Sequence, residues 1–354
     1  MKITSVKAYR KNLALRKPYT IARETVSEVE SIFFEITLAN GMVGIGAANP
    51  DPAVVGEGPA DTLEHLQSDS VQALAGKDIR YCLALITYYR DLLPGLPGTL
   101  ACIDIALHDA FAQYLNMAVV DFYGRQHQQL LTSVTIGIKD VAGTIAEAAA
   151  YRAMGFRVLK IKTGINPAED AERIIRLREQ YADHFTLRVD ANAGYSMADL
   201  QQFLQATRDQ HIELIEQPLL PARDAELAQL SAEQRAMLAA DESLKDSASA
   251  LQLAQNKRYG IFNIKLMKCG GIAGAREIAT IARPADISLF WGCNDESTVG
   301  ITAALHAAFS CAHTRYLDLD GSLDLAEDVV SGGFTINEGY MHLVEKPGLG
   351  LTLL

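Results

Sequence analysis

Charged residues recur at the ends of short apolar runs through the middle of this chain, and their types and intervals could do chemistry. "RVLKIKT" carries Lys160 and Lys162, "FTLRVDA" Asp190, "IELIEQP" Glu216, "AMLAADES" Asp241, and "YGIFNIKL" Lys265. From Lys162 to Lys265 the steps are 24 to 28 residues, each about one strand-plus-helix unit. Side chains alternate along a strand, so Lys160 and Lys162 share a face and Leu159 and Ile161 take the other. An interior lysine needs a partner or a task. Three carboxylates on neighbouring strands supply hard oxygen ligands for an octahedral divalent cation, with Mg²⁺ the best fit. Lysines on strands to either side would flank a metal-bound carboxylate. Removing the proton beside that carboxylate gives an enediolate, whose charge a metal can offset. A lysine near a cation and a second lysine should have a depressed pKa. Lys162 is therefore the candidate base, and Lys160 the neighbour expected to hold its pKa down.

Each of these residues alone has a plainer explanation. Asp241 could be a helix N-cap, "EQP" a turn, Lys265 a solvated charge, and Lys162 the Schiff-base lysine of a metal-free aldolase. Five such residues in successive units favour the site. His108 and His306 read as packed helix histidines and Trp291 as barrel wall. Cys269 and Cys293 have no sequence neighbour that would make either a nucleophile.

The elements that must position these residues alternate. Eight short apolar strands, from "TSVTIGI" at 132 to "RYLDLD" ending at 320, are separated by helical stretches such as "PAEDAERIIRLREQY". That pattern predicts an α/β fold with a (β/α)7β-type TIM-like barrel over 126–322. Residues 1–125 read as an α+β capping domain, and 323–354 as a segment returning to it. "MKITSVKAYRKNLAL" and "SIFFEITLANGMVGIG" read as its strands with a turn at "ANG". The stretch between them, around 18–30, reads as a loop over the barrel mouth. No dinucleotide or phosphate-loop glycine motif accompanies the first strand.

The chain has 354 residues, of which 49% are hydrophobic and 21% charged, which is globular composition. A net charge of −11 without a basic run argues against nucleic acid as a partner. The N-terminal stretch scatters lysines where a signal peptide would be apolar, and no window is long enough to span a membrane. Five scattered cysteines without a C-x-x-C pair argue against a disulfide framework and for a reducing cytoplasm. A homo-oligomer is expected.

"KIK", "DAN", "EQP", "ADES" and "NIKLMKCGGI" at these intervals, with the terminal "KPGLG", resemble the enolase superfamily, muconate-lactonising subgroup, over essentially the whole chain. The resemblance implies one Mg²⁺ per subunit on Asp190, Glu216 and Asp241, and Lys162 and Lys265 as acid/base lysines. "RYLDLDG" sharpens it, because dipeptide epimerases of this superfamily carry such a D-x-D. Asp318 and Asp320 would there bind the substrate's free ammonium, as paired inward carboxylates want a cation. A dipeptide substrate is thereby implied, with epimerisation at the α-carbon of its C-terminal residue. Cycloisomerases, o-succinylbenzoate synthases and N-acylamino acid racemases of the superfamily act on substrates lacking that ammonium. Substrate contacts are expected from Thr135 and from loops carrying Arg23, Glu24, Asp51, Glu57, Asp295 and Glu296. In family members acting on Ala-Glu, an arginine of the first loop reads the glutamate, and Arg23 is placed to do so. The surrounding acids instead favour a cationic or neutral side chain.

Overall fold

The computed structural model describes residues 1–21 and 24–354, with the side chains of 17–26 outside the description. Eight strands run in sequence order, each parallel to the next. They are Val134–Ile136, Val158–Lys162, Thr186–Asp190, Ile212–Glu216, Leu238–Ala240, Ile261–Ile264, Ser288–Trp291 and Thr314–Leu317. Thr132 bridges Leu317 in parallel, and the Ser133 amide donates to the Leu317 carbonyl at 3.0 Å, so the eighth strand meets the first and the barrel closes. The second strand shows why the pattern was readable. Leu159 and Ile161 are buried on one face, and Val158 and Lys160, which alternate with them, are equally buried on the other, inside the barrel.

A three-stranded antiparallel sheet precedes the barrel: Ile3–Ile21, Glu24–Leu38 and Val43–Ala48. The helix Pro97–Tyr114 lies against it, so close that a Cβ on Gly46 would come within 1.9 Å of the Cys102 carbonyl. Only glycine permits that approach. The stretch expected as a loop around 18–30 is largely paired backbone. Tyr19, Thr20 and Ile21 face Val26, Thr25 and Glu24, after a register shift beyond Ala14. A hairpin projecting from its sheet needs only backbone pairing, so the apolar alternation that marks a packed strand is absent. The hairpin's base is fastened to the chain beyond the eighth strand: Arg16 N donates to Asp324 O at 2.7 Å, and Ala326 N to Ala14 O at 2.7 Å.

Buried carboxylates join sheet, helix and barrel. Asp104 accepts from the Ile272 and Ala273 amides at 2.6 and 3.2 Å, capping the helix that follows the sixth barrel strand. Asp109 accepts from Ile45 N and Leu349 N, tying the sheet to the C-terminal segment. That segment also pairs within itself, Val330–Gly332 against Leu351–Leu353. No helix among the described residues is long and apolar enough to cross a membrane.

The helix Thr298–Phe309 is buried from Val299 onward, and His306 on it is fully enclosed, its Nδ1 accepting from Val120 N at 3.1 Å. Burial pushes its pKa down to about 4. The unfolded chain binds a proton there below about 6.5 and the folded chain does not, so stability falls as pH drops from 6.5 towards 4. The contribution is about 3 kcal/mol. Denaturant melts of His306→Asn should therefore show a flatter pH dependence between 6.5 and 4.5 than those of the native chain; parallel curves would contradict it.

Candidate active site

The barrel strands deliver their charged residues to one mouth. Lys162, Asp190 and Glu216 are the last residues of the second, third and fourth strands, and they lie in register as neighbours across the sheet. Asp241 and Lys265 follow the fifth and sixth strands directly. None of the three carboxylates points outward to the helices; all are at most 3% exposed.

Each carboxylate is held by lysine. Lys160 Nζ lies 3.0 Å from Asp190, 2.8 Å from Glu216 and 2.8 Å from Asp318. Lys162 Nζ is 2.7 Å from Asp190 and 2.9 Å from Asn192 Oδ1. Lys265 Nζ is 2.9 Å from Asp241, whose other oxygen meets Lys268 Nζ. Burial opposes the charge on Asp190, but Lys160 and Lys162 hold it well below the usual carboxylate range. Lys265 and Lys268 do the same for Asp241. Glu216 goes the other way: burial, then repulsion from Asp190, raises it to about 8. Burial works against the Lys265 ammonium too, yet Asp241 and Glu216 outweigh it and hold its pKa above that of a free lysine.

Lys160, the neighbour expected to hold down the pKa of Lys162, has its ammonium enclosed by three carboxylates, which raise its own pKa against the effect of burial. Lys160 is the counter-ion of the mouth.

Asp190, Glu216 and Asp241 fit a hard divalent cation in kind. All are oxygen donors, and Glu216 Oε2 is buried with no hydrogen bond, only its ionic contact to Lys160. Among the described residues, however, no three His, Cys, Asp or Glu side chains stand grouped to close on an ion, because the ammonium groups take the oxygens.

The eighth strand ends at Leu317, so Asp318 and Asp320 lie just beyond it and not within a strand as the alternation assumed. Asp318 turns inward to Lys160 and to Ser133 Oγ, which donates to it at 2.6 Å. Asp320 accepts from the Thr135 amide at 2.8 Å, so Thr135 already spends its amide on Asp320. Burial, then Asp318, lifts Asp320 to about 7, an environment in which a cation is welcome.

The acidic loops divide. Asp51 is exposed and caps a short turn through Ala53 N. It lines the same cavity as Lys265, Asp241 and Asn294. Asp295 is half-buried, and its carbonyl accepts from Asn49 Nδ2 at 2.7 Å, joining the seventh-strand loop to the cap. Glu57 and Glu296 are corrected. Glu57 is 1% exposed and accepts from the Gly98 and Thr99 amides at the start of the Pro97–Tyr114 helix. Glu296 is 5% exposed, turned back on Asn294 N, with burial raising it to about 7. Both are spent on backbone amides. Arg23 and the Glu24 side chain lie outside the described residues.

Sequence reasoning missed three supporting residues. Lys268 is 6% exposed and donates to the Asp241 and Asn263 carbonyls as well as to the Asp241 carboxylate. Asn263 Nδ2 donates to Glu216 Oε1 at 2.7 Å. Gln217, read as a turn residue, accepts from Asp241 N and Ser243 N, linking the fourth and fifth strand ends. A polar residue inside the apolar run "IFNI" was the available signal for Asn263.

A capped, closed parallel barrel with lysines and carboxylates gathered at the C-terminal ends of its strands defines a metal-assisted acid/base architecture. Residues 3–124 match the "Mandelate racemase / muconate lactonizing enzyme, N-terminal domain" and residues 143–354 the "Enolase C-terminal domain-like" family, and the chain belongs to this family. The L-Lys-D/L-Arg epimerase of Desulforapulum autotrophicum is 49% identical over 352 residues, 99% of both chains. The crystal structure of a dipeptide epimerase from Methylococcus capsulatus, complexed with Mg and L-Arg-D-Lys, superposes with a TM-score of 0.96 at 46% identity, covering 99% of this chain and 100% of that one. The substrate-liganded L-Ala-D/L-Glu epimerase of Bacillus subtilis gives 0.92 at 31% identity, with 99% of each chain covered.

Lys160→Met leaves three buried carboxylates facing one another, at a cost of roughly 3–5 kcal/mol. Added Mg²⁺ should raise the melting temperature of that variant more than that of the native chain, because the ion then has no ammonium to displace. An equal or smaller rise would show that Lys160 is not the counter-ion.

Proposed function

We propose that this chain is a Mg²⁺-dependent dipeptide epimerase that interconverts L,L- and L,D-dipeptides by a 1,1-proton transfer at the α-carbon of the C-terminal residue. The observation that carries the reading is the placement of Lys162 and Lys265. Lys162 ends the second strand and Lys265 directly follows the sixth, with Asp190, Glu216 and Asp241 at the ends of the three strands between. Mg²⁺ held by those carboxylates would offset the charge that builds on the substrate carboxylate as the α-proton leaves. Lys162 Nζ takes the proton from one face and Lys265 Nζ delivers one to the other. Asp320, with Asp318 behind it, holds the substrate ammonium. Lys160 keeps the mouth neutral until substrate and ion arrive, and the Thr135 amide orients Asp320.

A cationic side chain suits the exposed acid at the cavity between cap and barrel, where Asp51 lies beside Asp241, Lys265 and Asn294. Two relatives at 49% and 46% identity, both named L-Lys-D/L-Arg epimerase, support the same choice. The five unpaired cysteines support a cytoplasmic setting.

A dipeptide library incubated in D₂O and read by mass should show one deuteron incorporated, and a chelator should abolish it. Incorporation that survives chelation, with borohydride trapping an adduct on Lys162, would replace this reading with Schiff-base chemistry. Lys162→Ala and Lys265→Ala should each lose turnover in both directions, by at least about a thousandfold, while each still exchanges the α-proton of one epimer. Full epimerisation by either variant would refute the two-base scheme. In competition among Arg-Lys, Ala-Leu and Ala-Glu, kcat/KM should be highest for Arg-Lys. Asp51→Asn and Asp295→Asn together should lower that value about tenfold, with Ala-Leu little changed. A preference for Ala-Glu would shift the choice to Arg23.

A further inference from the structure

Behind the second barrel strand lies a buried group of side chains that touches the candidate base and that the proposed chemistry does not use. The helix Pro167–Tyr181 returns along the outside of the barrel and carries Asp170 and Arg173 on its buried face, 2% and 3% exposed. Arg173 Nη2 donates to the main-chain carbonyl of Lys162 at 2.9 Å and to Asp170 Oδ1 at 2.5 Å. Asp170 Oδ2 accepts from the Gly164 amide at 3.0 Å and from the Tyr195 hydroxyl at 2.7 Å. Tyr195 is itself fixed, its amide donating to the Pro218 carbonyl at 3.0 Å beyond the fourth strand.

The chain leaves the strand at Lys162, and within two residues its backbone is gripped from outside. Gly164 has φ +104°, and a Cβ there would lie 2.2 Å from the Ala191 carbonyl, so the turn packs tightly against the third-strand loop. The guanidinium therefore fixes the last carbonyl of the strand, and Asp170 fixes the first turn amide after it. Stability alone does not account for the arrangement. Arg173 Nη1 is buried with no hydrogen-bond partner, an unmade bond that an apolar side chain of similar volume would not carry.

We propose that Arg173, braced by Asp170 and Tyr195, is a positioning residue for Lys162, fixing the backbone from which its amine reaches the α-carbon. Lys265 has no such support from this helix; it starts a different turn, Leu266–Cys269, on the far side of the carboxylates. The clamp therefore serves one face of the substrate and not the other. A misplacement of about 1 Å can cost a proton-transfer group up to a hundredfold.

The inference rests on the two-lysine reading, and single-lysine enzymes test the two separately. In Lys265→Ala, α-proton exchange reports Lys162 alone; in Lys162→Ala, it reports Lys265 alone. Adding Arg173→Met should slow exchange at least tenfold in the Lys265→Ala background, and less than twofold in the Lys162→Ala background. Equal loss in both backgrounds would mean general damage or a disturbed metal site, and would overturn the proposal, as would no loss in either. Tyr195→Phe removes one brace without opening a buried charge. It should show the same one-sided effect at smaller size, and covers the case in which Arg173→Met fails to fold; a two-sided or absent effect again overturns the proposal. If neither single-lysine enzyme exchanges, the two-base reading falls and the clamp falls with it.

Discussion

Charge balance without water is the constraint on which the mouth of this barrel depends. Asp190, Glu216, Asp241 and Asp318 are each at most 4% exposed, and so large a buried negative charge is untenable unless it is matched at contact distance. Lys160 supplies the centre of the match, touching three of them at once. Lys162, Lys265 and Lys268 supply the edges. The directions of the pKa shifts follow from that layout. Asp190 and Asp241, each with two lysines, are held ionised, whereas Glu216, with one shared ammonium and an oxygen lacking a hydrogen bond, is pushed up. The carboxylates of the site are thus matched by ammonium groups that a divalent cation and a substrate ammonium can replace, which makes it a receptive place for both.

A related device, a buried carboxylate satisfied by backbone amides instead of lysines, builds the scaffold. Glu57 sits on the start of the Pro97–Tyr114 helix, Asp104 on the start of the helix after the sixth strand, and Asp109 on amides from the cap sheet and the C-terminal segment. Helix starts carry unpaired amides and a partial positive charge, so an acid there is satisfied twice. Gly271 belongs to this logic: a Cβ on it would lie 2.5 Å from Asp104 Oδ1.

The residues that were legible in the sequence are those placed by periodicity. A strand-end charge every 24 to 28 residues can be read because the βα unit fixes where it must lie, and all eight strands fall where the apolar runs put them. What was not legible depends on chain folding back from another element. Arg173 looks like any helix arginine until its helix lies on the barrel, and Lys268 like a solvated lysine until the turn after Lys265 folds inward. Glu57 and Glu296 were misread for a related reason. A loop acid that caps a helix and a loop acid that faces a substrate share one local sequence; only the amide that comes to meet the carboxylate separates them. Asp318 carries the same lesson at closer range, since strand alternation governs where a side chain points only while the strand lasts, and this one ends at Leu317.

The attachment of cap to barrel bears on how such a site can change its substrate without losing its chemistry. Asp104 anchors the cap helix to the start of Ile272–Ala282, one short turn beyond Lys265, so the loops rising from the cap are referenced to one of the two lysines through buried contacts. The parts of those loops that meet the cavity are different in kind. Asp51 is exposed, and the Asn49–Asp295 and Asn294–Asn49 contacts at 2.7 and 3.0 Å join side-chain amides to carbonyls at the rim. Exposed or rim contacts of this sort contribute little to stability, whereas removing one partner of the buried ones beneath them is costly. Substitution at the rim can therefore alter which side chain is admitted while the carboxylate-anchored frame keeps the lysines and their ligand neighbours in register. Recognition and proton transfer share a rigid support, and recognition can vary without proton transfer because rim contacts are cheap to change and the support is costly to break.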